Sequence, residues 1–434
     1  MTGMEPDKKD GHGTGWFYSL LPVDVATGPV ATLIQLYILE LHGTVIDVGL
    51  AITLFNAVSI PAAIIWGYVT DRFQSRRTII VLSSVAISGN LILLPLANSI
   101  SGAALVYALF SLVSSVSATP ANLLIMETQR KSRWASMFAR FSMVSSVGNT
   151  LGLVLGAAWS VYLPVSLLVL PLSALSLASA LLSFVMIKEP PISFEREFIV
   201  LQKRSLQQRL LAIPLVFLRT PNLVDFKAVF KGLRSALTRQ LPLLYLSIFV
   251  FYLASGLFNT SFVPSLQAAR LSASEVFVVA LMAMVVQTAS FYFAGPYVEK
   301  RDLRKSAIAG LLLRSGCYAI MGVLALFAGG LPYLAATLVL YPLAGGLAFS
   351  IYYTSSNTMI FNTLGVKNQG SRLGVYSALV GVATMLGSFI SGYISFYFGF
   401  LATFVLAAVL LAVCAILVPA VSAHQAEAAS PSGD

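Results

Sequence analysis

Charged residues are scarce in this chain. They make up only 10% of its 434 residues, whereas soluble domains carry about 25%. Hydrophobic residues make up 57%, and the mean hydropathy is +0.85. One buried core could not hold this many apolar residues, which excludes a soluble globular protein. We therefore expect an integral membrane protein with several spans, whose solvent is lipid.

Residues that bind metals and form disulfides are also rare. The two cysteines, Cys317 and Cys414, lie inside apolar stretches, and the three histidines lie outside or at the edge of such stretches. This pattern argues against a metal site, a disulfide framework and a buried histidine relay. The sequence has neither a phosphate-binding P-loop nor a nucleophile paired with a base. We therefore expect no ATP-driven pump, no enzyme and no cofactor.

Twelve apolar stretches are long enough to cross a membrane as helices. We predict an all-α integral membrane fold with spans 1–6 at residues 16–42, 45–69, 78–98, 102–126, 137–161 and 163–187 and spans 7–12 at residues 241–265, 274–298, 306–329, 332–361, 374–397 and 400–421. The predicted units are a tail at 1–15, a six-helix bundle at 16–187, a linker at 188–240, a second six-helix bundle at 241–421 and a tail at 422–434. The linker contains a basic amphipathic segment, which we expect to lie on the membrane surface.

Basic residues are concentrated in alternate loops. Most of them follow spans 2, 4, 8 and 10 or lie in the linker, whereas the intervening loops carry Arg270 alone. Because cytoplasmic loops are the basic ones, both termini are expected in the cytoplasm, with the spans in the cell membrane. We call the end of the bundle with the basic loops the cationic end and the opposite end the neutral end. The net charge of +10 is then a matter of topology, and no nucleic-acid partner is expected.

A basic string at the end of span 2 recurs at the end of span 8. GYVTDRFQSRR at 67–77 and GPYVEKRDLRK at 295–305 align at an offset of 228 residues. Each has a glycine one helical turn before an acid, where another helix can approach closely, and cations follow the acid. The same offset aligns Asp47 with Glu275, which indicates two repeated halves. The residues of the repeated string are Gly67, Asp71, Arg72, Arg76 and Arg77, then Gly295, Glu299, Lys300 and Arg304.

The string at 67–77 resembles the loop motif of the major facilitator superfamily, with Ser75 in place of the usual second glycine. The resemblance covers about residues 16–421. It implies two pseudo-symmetric six-helix bundles around a central cavity lined by spans 1, 4, 7 and 10. It also implies that the turn from Gly67 to Asp71 packs against span 11 and stabilises the outward-open state during alternating access. Anchoring of the loop by snorkelling cations is the alternative role.

Asp24 is the only acid well inside a predicted span. It lies about eight residues into span 1, roughly 12 Å along the helix axis. An ionised carboxylate at this depth costs roughly 3 kcal/mol unless it is paired or hydrated. Such a group can bind and release a proton, so Asp24 is the candidate for proton coupling or for binding a cationic substrate. A hydrogen bond to a neighbouring helix, or a position closer to the interface, is the structural alternative.

Arg314 is the one clear cation inside a span. It could hold an anionic substrate or pair with Asp24, although the resemblance places span 9 outside the cavity. Extension of its side chain to the cytoplasmic face is the alternative. Polar residues on the four cavity spans are further candidates for contact with a substrate, although hydrogen bonds between helices would explain each equally well. These are Gln35, Asn122, Asn259, Thr260, Tyr353 and Asn357.

Together these features predict a monomeric secondary transporter that moves a small solute by alternating access. We expect proton coupling through Asp24, a neutral or cationic and partly apolar solute, and efflux slightly favoured over uptake. One alternative is an uptake symporter or facilitator for an organic anion held at Arg314. A second alternative, from another class, is a membrane sensor that does not transport.

Overall fold

The computed structural model describes residues 14–72, 75–128, 134–187, 242–299, 302–327, 329–364 and 369–429. The described residues form helices and contain no β-strand, which confirms the predicted fold class. The predicted linker at 188–240 lies outside the described residues. So do residues 1–13 and 430–434 of the predicted tails.

The described residues of the first half form eight α-helices after a short 3-10 turn, Thr14–Trp16. Predicted span 1 is divided into α1 and α2, and predicted span 4 into α5 and α6. The eight helices are α1 Phe17–Thr27, α2 Val30–Glu40, α3 Val45–Arg72, α4 Arg76–Leu93, α5 Ile100–Ser114, α6 Ala118–Thr128, α7 Trp134–Tyr162 and α8 Val169–Met186.

In the second half, the residues that the structure describes form six α-helices. Predicted span 10 consists of α12, a seven-residue π-helix at Pro342–Ala348, and α13. Predicted spans 11 and 12 are joined in α14, which bends at Gly399, where φ is 82°. The six helices are α9 Pro242–Ala268, α10 Ala273–Glu299, α11 Leu303–Phe327, α12 Leu331–Tyr341, α13 Phe349–Leu364 and α14 Gln369–Ala429.

Ten stretches of the described residues have the length and hydropathy of a membrane span. The prediction of twelve differs for two reasons. α14 contributes one continuous stretch, Tyr376–Val418, which contains both predicted spans 11 and 12. The apolar helix of predicted span 4, Ile100–Ser114, has only 15 residues, because the chain turns before α6 begins.

Prolines lie where the helices of spans 1, 4 and 10 change course. α1 ends just before Gly28 and Pro29, Pro120 lies in the first turn of α6, and the π-helix begins at Pro342. Proline removes a backbone donor and clashes with the preceding turn, so it is tolerated at helix starts and disrupts helix interiors. The resemblance implies that these three spans line the cavity. Irregular backbone is expected there, because a cavity can hydrate the freed carbonyl groups.

The two halves repeat in detail at the neutral end. At the start of α3, the N–H and hydroxyl of Thr44 donate to Oδ2 of Asp47 at 2.7 and 2.8 Å. At the start of α10, the N–H and hydroxyl of Ser272 donate to Oε2 of Glu275 at 2.7 and 2.8 Å. Both arrangements place an acid near the positive end of a helix dipole. The offset of 228 that aligns the basic strings therefore aligns these helix starts as well.

Serine hydroxyls join the helices within each half. In the first half, Oγ of Ser179 on α8 donates to the carbonyl of Ser19 on α1 at 2.7 Å. In the second half, Oγ of Ser391 on α14 donates to the carbonyl of Leu257 on α9 at 2.5 Å. Lipid offers no hydrophobic driving force between helices, so small side chains and hydrogen bonds of this kind hold the bundle together.

The two halves contact each other where α3 packs on α14 and α7 packs on α10. A β-carbon added at Gly49 on α3 would lie 2.9 Å from the carbonyl oxygen of Ser388 on α14. Oγ of Ser274 on α10 donates to the carbonyl of Ala157 on α7 at 2.8 Å. Gly49 and Ser274 lie within the first two turns of their helices, and both helices start at the neutral end. The halves are therefore joined at the neutral end in this conformation.

Candidate functional site

Asp24 lies in the last turn of α1, four residues before the helix break at Gly28. Its side chain is half-buried and faces the hydroxyl of Ser145 on α7. Its backbone carbonyl accepts a hydrogen bond from the N–H of Gly28 at 3.0 Å. The carboxyl group thus lies between α1 and α7, one turn from an interruption of the helix.

Glycines let α1 and α7 approach closely around Asp24. A β-carbon added at Gly148 would lie 2.5 Å from the β-carbon of Asp24. One added at Gly152 would overlap the carbonyl oxygen of Val25. We call the contact formed by Asp24, Val25, Gly148 and Gly152 the α1–α7 seam. Because the two backbones are in contact along it, the packing of main chains sets the position of the Asp24 β-carbon relative to α7.

The second half has an equivalent seam without an acid. A β-carbon added at Gly387 on α14 would overlap the carbonyl oxygen of Leu253 on α9 and lie 3.1 Å from Cα of Gly256. Gly387 contacts α9 in the way that Gly148 contacts α1. The residues contacted on the two helices have the same spacing along the chain. Gly256 therefore occupies the place that Asp24 occupies in the first half. The carboxyl group at this depth is a departure from the repeat.

Several residues of the repeated basic string lie at helix ends. Asp71 and Glu299 are in the last turns of α3 and α10, together with Gly67, Arg72 and Gly295. Lys300 lies outside the described residues, and Arg304 is exposed at the start of α11. α3 packs on α14, and a β-carbon added at Gly381 on α14 would lie 2.7 Å from Cγ1 of Ile60. The role of the string as a gate stays a prediction.

Two arginines of the string anchor the junction of α3 and α4. Arg76 is buried, and its Nη1 donates to the carbonyl oxygen of Thr70. This bond caps the C-terminal turn of α3, where carbonyl groups lack helical partners. Cζ of Arg77 lies 4.9 Å from the ring centroid of Phe184 on α8. These contacts join the cationic ends of α3, α4 and α8.

Arg314 lies on α11 and points into the second half of the bundle. Its side chain is only 3% exposed, and its Nε donates to the hydroxyl of Tyr318 at 2.7 Å. Cζ lies 5.0, 5.3 and 5.4 Å from the ring centroids of Phe251, Tyr318 and Phe349. Within the described part of the chain, its contacts are to aromatic groups and include no carboxylate. The side chain therefore neither extends to the cytoplasmic face nor pairs with Asp24 in this conformation.

The remaining cavity candidates differ in burial. Gln35 on α2 and Thr260 on α9 are buried, and Oε1 of Gln35 and Oγ1 of Thr260 have no hydrogen-bond partner among the described residues. No hydrogen bond between described side chains joins any two of the six candidates, so they stay individual predictions. The more exposed members are Asn122, Asn259, Tyr353 and Asn357.

Sequence reasoning missed the groups that surround Asp24 and Arg314. Ser145 faces Asp24, while Phe251 and Phe349 flank the guanidinium group of Arg314. The hydroxyls of Tyr252 and Tyr376 lie 3.3 Å apart and join α9 to α14. The aromatic residues of span 7 form a visible cluster, FVFY at 249–252, but an apolar span carries no pattern that tells which of its faces meets Arg314.

Comparisons with known proteins identify the family. A family profile described as "Major Facilitator Superfamily" matches residues 16–243 and 244–434. No curated protein sequence matches the chain. Both halves of the chain are covered by the family profile.

Solved transporter structures share the fold. The nucleoside transporter NupG is 14% identical and aligns over 94% of this chain and 98% of its own, with a TM-score of 0.70. A POT family transporter in complex with 5-aminolevulinic acid is 12% identical over 95% and 96%, with a TM-score of 0.70. A bacterial homolog to the human lysosomal transporter Spinster, in an inward-facing and occupied conformation, is 16% identical over 97% and 98%, with a TM-score of 0.67. The chain therefore belongs to the major facilitator superfamily and is a transporter rather than an enzyme.

Proposed function

We propose that this chain is a secondary transporter of the cell membrane that moves a small solute by alternating access, coupled to protons through Asp24. The observation that carries the proposal is the position of Asp24 on the α1–α7 seam, beside the break at Gly28. No other acid lies as deep within a predicted span.

The surroundings of the carboxyl group support proton coupling. Among the described residues, Asp24 faces the hydroxyl of Ser145 and has no cation beside it. A partly desolvated carboxylate without a cation is costly, and protonation removes that cost. A movement of α1 against α7 that buries this carboxyl group further is therefore easier when Asp24 carries a proton. Proton occupancy and the conformational change are linked in this way.

Alternating access is supported by the kind of contact that joins the halves. Gly49 meets the backbone of α14, and the hydroxyl of Ser274 meets a carbonyl group of α7. Contacts made by small residues and single hydrogen bonds can separate without any repacking of large side chains. With the termini in the cytoplasm, this conformation is closed towards the outside. Rocking of the halves would open the neutral end and close the cationic end.

Two solute classes are compatible with this mechanism. The low charge inside the spans favours a neutral or cationic, partly apolar solute, with efflux slightly favoured. The buried guanidinium of Arg314 favours an organic anion instead. For a non-transporting sensor, no contact in the described residues offers specific support.

Exchange and accumulation in proteoliposomes test the proposal. A screen of cationic, neutral and anionic solutes first identifies one that wild type moves. Asp24→Asn should still exchange that solute between the two sides, because exchange needs no net proton movement, but should lose accumulation driven by a pH gradient. The matched control is Asp47→Asn, which removes a carboxylate from the cap of α3 and should retain both activities. Undiminished pH-driven accumulation in Asp24→Asn would contradict proton coupling through this residue.

A further inference from the structure

We propose that Arg314 binds the acidic group of an amphipathic organic anion, whose apolar or aromatic body lies against the rings around it. This inference rests on the transport function proposed above and names the substrate class. It departs from the preference for a neutral or cationic solute that follows from composition alone.

The depth of Arg314 makes an unpaired charge there expensive. It lies 11 residues after the start of α11 at Leu303, or about 16 Å along the helix axis. That distance is near the middle of a hydrocarbon layer of about 30 Å. Arginines at this depth almost always face the bundle interior and pair with an acid or a carbonyl group. Arg314 faces the interior, but no described carboxylate neutralises it.

The guanidinium group also has an unused donor. Arginine has five N–H donors and no acceptor. Nε is bonded to the hydroxyl of Tyr318, whereas Nη1 is buried and has no hydrogen-bond partner among the described residues. The flanking rings attract the cation through their π faces, but they leave its net charge in place. An acidic oxygen is the group that would satisfy both the charge and the donor.

Hydroxyl groups and rings from three other helices lie around the guanidinium group of Arg314. Tyr252 on α9 packs edge-on against the ring of Phe251, which lies 5.0 Å from Cζ of Arg314. The hydroxyl of Tyr252 lies 3.3 Å from that of Tyr376 on α14. Tyr353 on α13 is 38% exposed and stacks 5.5 Å from the ring of Phe349, which itself lies over Arg314. Tyrosine hydroxyls can donate to an anion, and stacked rings suit a flat or apolar body. The partly exposed tyrosines mark the side from which a solute would approach.

The charge balance of the two halves fits this substrate class. A proton neutralises Asp24 in the first half, and an organic anion would neutralise Arg314 in the second. A carrier loaded with both has no net charge at either buried position, so its rearrangement within the bilayer costs less than that of the empty carrier. Movement of an anion with one proton follows from this arrangement.

Ligand-dependent thermal unfolding of the purified protein in nanodiscs tests the site. The probes are 2-naphthoate and naphthalene-2-sulfonate, with 2-naphthamide as the neutral match and 2-naphthylmethylamine as the cationic match. We expect the anions to raise the Tm of wild type and the two matches to leave it unchanged. In Arg314→Gln, affinity for the anions should fall at least roughly thirtyfold, the lower end for loss of one partner of a buried charge pair. Arg270→Gln removes an exposed cation from the neutral end and should bind as wild type does.

Arg314→Lys guards against a failure of Arg314→Gln to fold. Lysine keeps the charge but loses the planar fork, so an intermediate affinity is expected. The titrations are repeated in gluconate and in chloride, because a small inorganic anion would use the same donors. Stabilisation by chloride with none by the organic anions would overturn the substrate class. So would equal stabilisation by the neutral or cationic match, or anion binding that survives in Arg314→Gln.

The two proposals fail in different ways. Binding in nanodiscs requires neither a gradient nor Asp24. Anion binding that depends on Arg314, together with unimpaired pH-driven accumulation in Asp24→Asn, would contradict proton coupling alone. If pH-driven accumulation of a neutral or cationic solute is lost in Asp24→Asn and unchanged in Arg314→Gln, the anion site alone is overturned.

Discussion

The β-carbon of Asp24 packs directly against the backbone of Gly148, and a methyl group on Gly148 would come within 2.5 Å of it. The acid is thus held by the close approach of two helices rather than by a salt bridge among the described residues. The backbone and β-carbon of Asp24 can therefore shift relative to α7 only if the two helices shift. On the proposal made above, protonation of Asp24 would therefore alter the packing of these two helices.

Gly148→Ala should weaken the α1–α7 seam. The added methyl group overlaps Asp24, so either the helices separate or the acid is displaced. Overpacking of a well-packed contact costs about 1–3 kcal/mol. We expect a lower Tm in detergent and reduced pH-driven accumulation.

Gly89→Ala is the matched control for this substitution. Gly89 lies inside α4, and a β-carbon added there meets no atom within 4 Å. Alanine is a better helix former than glycine by about 1 kcal/mol, so stability should be unchanged or slightly higher. Equal effects of the two substitutions would show that the close approach at Gly148 does not matter.

Gly49→Val should open the neutral end. A side chain at Gly49 would meet the backbone of α14 at Ser388, which favours the conformation in which the halves are separated there. Spin labels at His42→Cys and Arg270→Cys report this opening, since both positions are exposed and both immediately precede the helices that join the halves. Cys317 and Cys414 are buried and are replaced by alanine in the labelled protein.

The distance between the two labels, measured by double electron–electron resonance, should increase in Gly49→Val. Gly89→Val serves as the control, because its side chain points into open space. The control should have the same distance distribution as the unsubstituted protein. A distribution that does not change in Gly49→Val would contradict a hinge of the two halves about this contact.

Arg314→Met should not destabilise the empty protein by more than about 1 kcal/mol, and it can raise the Tm. Removal of a buried charge relieves a desolvation penalty of several kcal/mol. This gain offsets the lost contacts with rings, each of which contributes about 2 kcal/mol when desolvated. Thermal unfolding without added organic anion measures the balance. A loss of about 3–5 kcal/mol, typical of breaking a buried pair, would indicate a structural partner for Arg314 instead.

Much of the fold could be predicted because the two halves have matching polar residues at the ends of their helices. Asp47 and Glu275 align at one offset, and each accepts the same pair of bonds at the start of its helix. These local patterns depend on neighbours in sequence, so they can be read without the tertiary structure. The bend at Gly399 is harder to predict from the sequence, since glycine permits a positive φ but does not require one.

The environment of Arg314 could not be predicted from the sequence. An isolated arginine in an apolar run is compatible with snorkelling and with burial, and only the rotation of its helix decides between them. In the structure Arg314 faces Phe251 and Phe349, which come from two other helices. The resemblance places span 9 outside the cavity, and it does not foresee a side chain that points inwards from there.

Solute-driven proton movement in proteoliposomes, followed with an internal pH dye, shows whether Asp24 carries the coupled proton. Wild type and Asp47→Asn should both move protons when a transported solute is added, and Asp24→Asn should move the solute by exchange without any proton signal. A proton signal of undiminished size in Asp24→Asn would contradict the account, because the carboxyl group on the α1–α7 seam would then not be the proton carrier.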